Sequence, residues 1–138
     1  MINHATTWAV SVHKKASDMH ELSIAQSIVY AVEIRATEYK ATHVRSVRLR
    51  IGEAIGVVID SLTFCFEMLT DADTLLDGAK LVVDTVPHQA RCRHCARAFP
   101  VIQFVAQCPT CGEWSDEIVS GTELLILDME IDVEPSYS

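Results

Sequence analysis

Two cysteine pairs, Cys92-x-x-Cys95 and Cys108-x-x-Cys111, constrain this chain more than any other feature. The linker between them carries Phe99, Val101, Ile102 and Phe104 and reads as strand-like, so two knuckles can fold back on each other and bring four sulfurs together. Each two-residue spacer lets neighbouring thiolates chelate one ion, and hairpin pairing sets the second pair opposite the first. Four converging thiolates suit a closed, tetrahedral structural zinc site. A thioredoxin-type redox pair, a rubredoxin-like iron site or a surface disulfide each explain two cysteines more easily than four. Ala96, not His, follows Cys95, so the CxxCH haem pattern is absent. Four sulfur ligands also leave no open position for a substrate water, which argues against catalytic zinc. His94, inside the first knuckle, reads as an exposed side chain, and Cys65, among Phe64, Phe66 and Met68, as a small buried apolar group.

A chain of 138 residues can bury one main core and support a small satellite module. Its 49% hydrophobic and 22% charged residues are the composition of a folding globular chain, not a disordered one. The net charge of −8 repels phosphate backbones; Arg91, Arg93 and Arg97 form the one basic cluster in the cysteine region, with only Phe99 and Phe104 as nearby aromatics, so no nucleic-acid partner is expected. No apolar run approaches the roughly 20 residues that span a bilayer, so no membrane partner is expected either. In MINHATTWAVSVHKKASD a Lys pair follows the apolar patch, the reverse of a secretory signal. We therefore expect a cytoplasmic protein, whose reducing surroundings favour metal ligation over disulfides.

Residues 1–18 show neither helical nor strand periodicity and are expected to form a flexible N-terminal extension. From Leu22 the apolar positions Leu22, Ala25, Ile28, Val29, Val32 and Ala36 recur at helical spacing, and the helix should end near Tyr39-Lys40. Val47, Leu49 and Ile51 alternate with Ser46, Arg48 and Arg50, as in a half-buried strand with one basic face. Asp60-Ser61 offers a cap for a second helix through Leu69, Asp77-Gly78 marks a turn, and Lys80–Val86 reads as a β-branched strand leading into the cysteines. Glu123–Val133 forms a long final strand. The sum is an α+β fold: two helices packed on a small, mainly three-stranded sheet with an inserted zinc-knuckle module. The expected division is an α+β domain of residues 19–87 plus 115–138, and a zinc-binding module of residues 88–114.

Met19-His20-Glu21 stands just before the first helix, where an imidazole and a carboxylate can project together. Alone this is a weak signal, equally read as a surface His beside an acid that favours the helix N-terminus. The wider pattern is more specific: MHELSIAQSIV, VRLRIGEAIGV, SLTFCFEMLT, GAKLVVDTVP, CRHC, CPTCG and SGTELLILDMEID. Together these resemble the HypA/HybF family of hydrogenase nickel-insertion accessory proteins across residues 19–133. The resemblance implies a nickel-binding α+β domain, a separate zinc domain and no enzymatic turnover. It further implies delivery of Ni(II) to the large subunit of [NiFe]-hydrogenase, alongside a GTP-hydrolysing accessory protein.

Carried over by the resemblance, His20 and Glu21 are nickel ligands, and Met19 is a possible third through its main-chain nitrogen. An imidazole, main-chain nitrogens and a carboxylate supply the tetragonal N,O field that Ni(II) accepts. Family members normally begin at the Met of Met-His-Glu, where a free amine can join the nickel shell. Here Met19 follows 18 residues, so its nitrogen is a peptide nitrogen unless the chain starts or is trimmed at that point. Ala96 is a second departure, standing where a Gly often follows the first knuckle. Glu53 matches a familiar family position but reads as a surface carboxylate, and His4, His13, His43 and His88 read as ordinary surface residues or auxiliary ligands.

The expected function is thus nickel delivery by a monomer or weak homodimer. The alternative is a zinc-ribbon module binding protein or nucleic acid without nickel. An enzyme would need an open metal site or an activated nucleophile, and neither a Ser-His-Asp set nor HExxH is present.

Overall fold

The computed structural model describes residues 2–5 and 21–134, those at 2–5 through their backbone pairing only. Helix α1 spans Glu21–Glu38 and buries Ile24, Ala25, Ile28, Val32 and Ala36. Ile24 takes the place that Leu22 was expected to fill, and Leu22 is 40% exposed. Two residues are about 200° of helical turn, so both cannot face the core. The helix stops where Lys40 adopts a left-handed φ of 56° and donates its N–H to the Thr37 carbonyl.

Strand β2, Ala41–Gly52, buries Val44, Val47, Leu49 and Ile51. The three-residue step from Val44 to Val47 breaks strict alternation, and a register shift between Val44 and Ser46 accounts for it. A single 3-10 turn, Glu53–Ile55, ends at Gly56, and helix α2 follows over Ile59–Thr70. Its cap position is Val58, without a side-chain hydrogen bond, so Asp60 lies in the first turn instead of capping it. There its charge still complements the helix dipole. Leu62 and Phe66 face the core, and the buried Thr70 hydroxyl donates to the Phe66 carbonyl.

Strand β3, Lys80–Val86, returns parallel to β2, making β2-α2-β3 a crossover unit. The long strand expected near the C-terminus is observed over Leu124–Val133, antiparallel to β2. The three expected strands therefore form one sheet, with the final strand beside β2. The sheet also gains a strand, β1, from Ile2–Ala5, which pairs antiparallel with the final strand within the segment expected to be a flexible extension. The sheet order is β1, the final strand, β2, β3.

Residues from both helices, from β2 and from the final strand form one continuous apolar core, with Leu81 and Val83 of β3 packed against it. The opposite face is charged, but not simply basic as the β2 sequence suggested. The final strand sets acids against the arginines of β2: Arg48 Nη2 lies 2.6 Å from Asp128 Oδ2, and Arg45 Nε lies 2.8 and 3.0 Å from the two Asp132 oxygens. Such exposed pairs contribute little to stability, about 0–1 kcal/mol each, but they neutralise the ladder.

A second sheet contains β4 (Gln89–Arg91), β5 (Ala98–Pro100) and β6 (Ile118–Ser120) in the order β5-β4-β6, which makes the final strand β7 in chain order. Its third strand comes from beyond residue 114, so the cysteine module is stitched across both flanks of the insertion. The sheets meet where Ala54 N–H donates to the Gly121 carbonyl at 2.8 Å and Gly52 N–H to the Glu123 carbonyl at 2.7 Å. These two hydrogen bonds hold the segment between β6 and β7 against the end of β2.

Candidate metal centre

Each knuckle is built by backbone hydrogen bonds around its first cysteine. Cys92 N–H donates to the Arg97 carbonyl, Ala96 N–H to the Cys92 carbonyl, and Cys95 N–H points at Cys92 Sγ from 3.4 Å. The second knuckle repeats the scheme, with Cys108 N–H donating to the Glu113 carbonyl and Gly112 N–H to the Cys108 carbonyl. The residue after each second cysteine turns left-handed: Ala96 at φ 60° and Gly112 at φ 76°. Glycine adopts this conformation freely; alanine does so at a cost.

All four Sγ atoms lie within 4.8 Å of one another, and Cys92 Sγ is 3.4 Å from Cys111 Sγ. A tetrahedral zinc with Zn–S bonds of about 2.3 Å needs sulfurs roughly 3.8 Å apart, so this donor set fits the ion with small adjustments. Cys92 and Cys108 are buried, Cys95 half-buried and Cys111 exposed. Cys92 and Cys108 form a small core with Ala90, Phe99 and Val101, and Cys95 packs against it. Sharing of hydrogen bonds with Cys111 first, together with burial and the other sulfurs, pushes the Cys95 thiol up to about 12. The Cys108 thiol is brought down to about 6, chiefly by the N–H of Cys111 and also by that of Thr110. A divalent ion bound among the four sulfurs would displace the thiol protons.

The linker is not a continuous strand. After β5 it closes a tight turn, Val105 N–H to the Ile102 carbonyl at 2.9 Å, with Gln103 and Phe104 both at positive φ (52° and 63°). The turn leaves Ile102 68% and Phe104 75% exposed, while Phe99 and Val101 stay inside. Two of the three clustered arginines form ion pairs, Arg93 with Asp116 at 2.9 Å and Arg91 with Glu117 at 3.7 Å.

Glu21 is the first residue of α1, and its Oε1 accepts the Val58 N–H at 3.3 Å. The carboxylate therefore lies where the starts of the two helices meet. Met19 and His20 lie outside the described residues, as do His4's side chain and His13. Glu53 is exposed in the 3-10 turn, and His94 is exposed. His43 Nε2 is 2.7 Å from the Asp77 carbonyl oxygen. His88 departs from its expected surface position: it is 9% exposed, beneath the edge of the Phe104 ring at 5.9 Å. Nothing in the sequence around Pro87-His88 signals that burial. Cys65 is half-buried against the main core, distant in role from the other four.

Fold and centre together define an α+β protein with a four-cysteine module suited to a closed tetrathiolate metal site, a class of metal-binding factor. The comparisons make this particular. Residues 19–131 match the family model described as "Hydrogenase/urease nickel incorporation, metallochaperone, hypA". The chain is 41% identical over 120 residues to a hydrogenase maturation factor HypA of Dehalococcoides mccartyi, covering 87% of this chain and all of the relative. It is 47% identical over 113 residues to that of Streptomyces avermitilis, covering 80% and 86%. Its fold is similar to the solution structure of the Ni metallochaperone HypA from Helicobacter pylori, with a TM-score of 0.61, 24% identity, and coverage of 84% and 100%. The chain belongs to the HypA family of nickel metallochaperones in hydrogenase maturation. The family match begins at Met19.

Proposed function

We propose that this chain binds Ni(II) at Met19-His20-Glu21 and delivers it to the large subunit of [NiFe]-hydrogenase, alongside a GTP-hydrolysing accessory protein. The observation that carries the reading is the family match, which begins at Met-His-Glu and runs through both cysteine pairs. Residues 19–87 and the chain from β7 onward act as the nickel-binding domain, and residues 88–114, completed by β6, as the zinc-binding module. The zinc is resident and structural; the nickel is cargo, so the protein turns over no substrate and is not an enzyme. No helix among the described residues is long and apolar enough to cross a membrane, and the proposed setting is the cytoplasm.

His20 supplies a neutral imidazole nitrogen and Glu21 a carboxylate, which suit a tetragonal Ni(II). Glu21 stands on the first turn of α1 with one oxygen already accepting the Val58 N–H. That bond orients the carboxylate without using its second oxygen. A site at the start of a helix, formed by consecutive residues, has few contacts to break on release. The test is hydrogenase maturation in cells whose only copy carries His20→Ala. Large subunit without nickel, beside a variant of normal zinc content and folding, supports the proposal. Normally loaded large subunit removes His20 from the nickel route, and loss of zinc or folding makes it structural.

A further inference from the structure

Strand β3 is the last strand of the main sheet, and among the described residues no strand pairs with its outer edge. Beside its start, at the C-terminal end of α2, lies a cavity of 610 Å³. Phe64 and Met68 line it, one helical turn apart and 65% and 53% exposed, on the side of α2 away from buried Leu62 and Phe66. Large apolar side chains left out of the core next to an open strand edge mark a place that a partner covers. The rim states the partner's charge: Glu67, Asp71 and Asp77 line the cavity against one cation, Lys80.

We infer that β3 and this cavity form a docking site for an extended segment of a partner protein that carries alternating apolar and basic side chains. The segment adds to the sheet as a further strand, its backbone pairing with Lys80–Val86. An apolar side chain enters between Phe64 and Met68, and a Lys or Arg meets the carboxylates of the rim. Backbone pairing supplies affinity and the alternating side chains supply selectivity. The cavity lies along the second half of α2, from Phe64 to Asp71, roughly 9 to 20 Å along the helix from Val58. This inference stands whether or not the proposed nickel ligands bind nickel.

The probe is an eight-residue peptide of alternating Lys and Val, with its Glu-Val counterpart as control, titrated into the zinc-loaded full chain and followed by amide NMR. The Lys-Val peptide should shift the amides of Lys80–Val86 and of the last turn of α2, and the Glu-Val peptide should not. Replacing the rim by Glu67→Gln, Asp71→Asn and Asp77→Asn together should weaken binding about tenfold, the sum of three exposed charge contacts. Phe64→Ala, at an exposed position that leaves the core intact, should weaken it independently. Equal binding of both peptides, shifts confined to other surfaces, or no binding would overturn the inference. So would concentration-dependent shifts of the β3 amides without peptide, which would assign the edge to a second copy of this chain.

Discussion

Gly52 and Gly121 meet backbone to backbone: a Cβ on Gly52 would overlap the Gly121 carbonyl, and one on Gly121 would overlap His88. This contact, where Gly121 also turns at φ 99°, allows the cysteine module to seat against the end of β2. Backbone cannot rotate away as a side chain can, so Gly52→Ala should cost about 3 kcal/mol in chemical denaturation. Gly52 is extended at φ −78°, so its cost comes from the close approach alone; Gly78→Ala is the contrast, at a left-handed φ of 75° with open space around it. It should cost only the conformational penalty, about 1–2 kcal/mol. Equal losses in the two variants would mean that the close approach is not restrictive.

The cysteine module has a core of only five buried residues, two of them ligands. Removal of zinc by a chelator, or Cys92→Ala, should therefore unfold the β4-β5-β6 sheet, because so small a core does not stand without its staple. The main sheet should survive. Limited proteolysis should cut near Phe104 within the freed module and leave the region of α1 and β2 intact. Full zinc retention and protease resistance in both Cys92→Ala and Cys108→Ala would disprove the four-thiolate assignment.

Ala96 occupies a left-handed position at φ 60° where its counterpart in the other knuckle is Gly112. Ala96→Gly removes a penalty of about 1–2 kcal/mol and adds roughly 0.5–1 kcal/mol of chain entropy to the unfolded state. The expected net gain is about 0.5–1 kcal/mol, measured as a raised midpoint in zinc-competition or thermal unfolding. A destabilised variant would contradict the backbone account.

Glu33 on α1 faces Asp73 in the turn after α2. Its carboxyl is raised above the usual 4.5, first by hydrogen bonding to Asp73, then by burial and by the Asp73 charge. Burial alone would raise Asp73, but the hydrogen bond with Glu33 and the N–H groups of Leu76 and Leu75 bring it below 3.8. The folded state thus holds a proton on Glu33 more tightly than the unfolded chain does. That contribution is fully present below pH 4.5 and is lost as pH rises through the raised value. The Asp73 contribution has the opposite sign, being present above pH 3.8 and lost as pH falls through the lowered value. Glu33→Gln keeps a donor facing Asp73 at every pH, so its thermal midpoint relative to wild type should rise between pH 4.5 and neutrality. A flat difference would show that the two carboxyls do not share a proton.

Much of the architecture was legible because its signals are local. The helical spacing of Ala25, Ile28, Val32 and Ala36, the alternation through Val47, Leu49 and Ile51, and the CxxC spacing each act over a few residues. Long-range relations left weaker traces. The charge of Arg45 and Arg48 looked like a basic face because their partners, Asp132 and Asp128, lie some 80 residues away in sequence. The buried His88 and the pairing of Ile2–Ala5 with β7 likewise depend on contacts that no short window contains. Phe104 looked like part of a strand because its composition fits one; the left-handed turn at Gln103-Phe104 overrode that preference. The proposed nickel ligands Met19, His20 and Glu21 were singled out by the resemblance alone, since consecutive residues before a helix carry no spacing signature.

Calorimetric titration of Ni(II) into the zinc-loaded protein, full chain beside His20→Ala and a chain beginning at Met19, tests the central claim most directly. The account predicts a nickel site that His20→Ala abolishes without change in zinc content. It predicts tighter binding when Met19 offers a free amine, with the advantage growing toward lower pH while the imidazole stays neutral, because a peptide nitrogen must first lose its proton. Equal affinity and proton release in the full and shortened chains would eliminate the amine ligand. Undiminished nickel binding by His20→Ala would contradict the account itself.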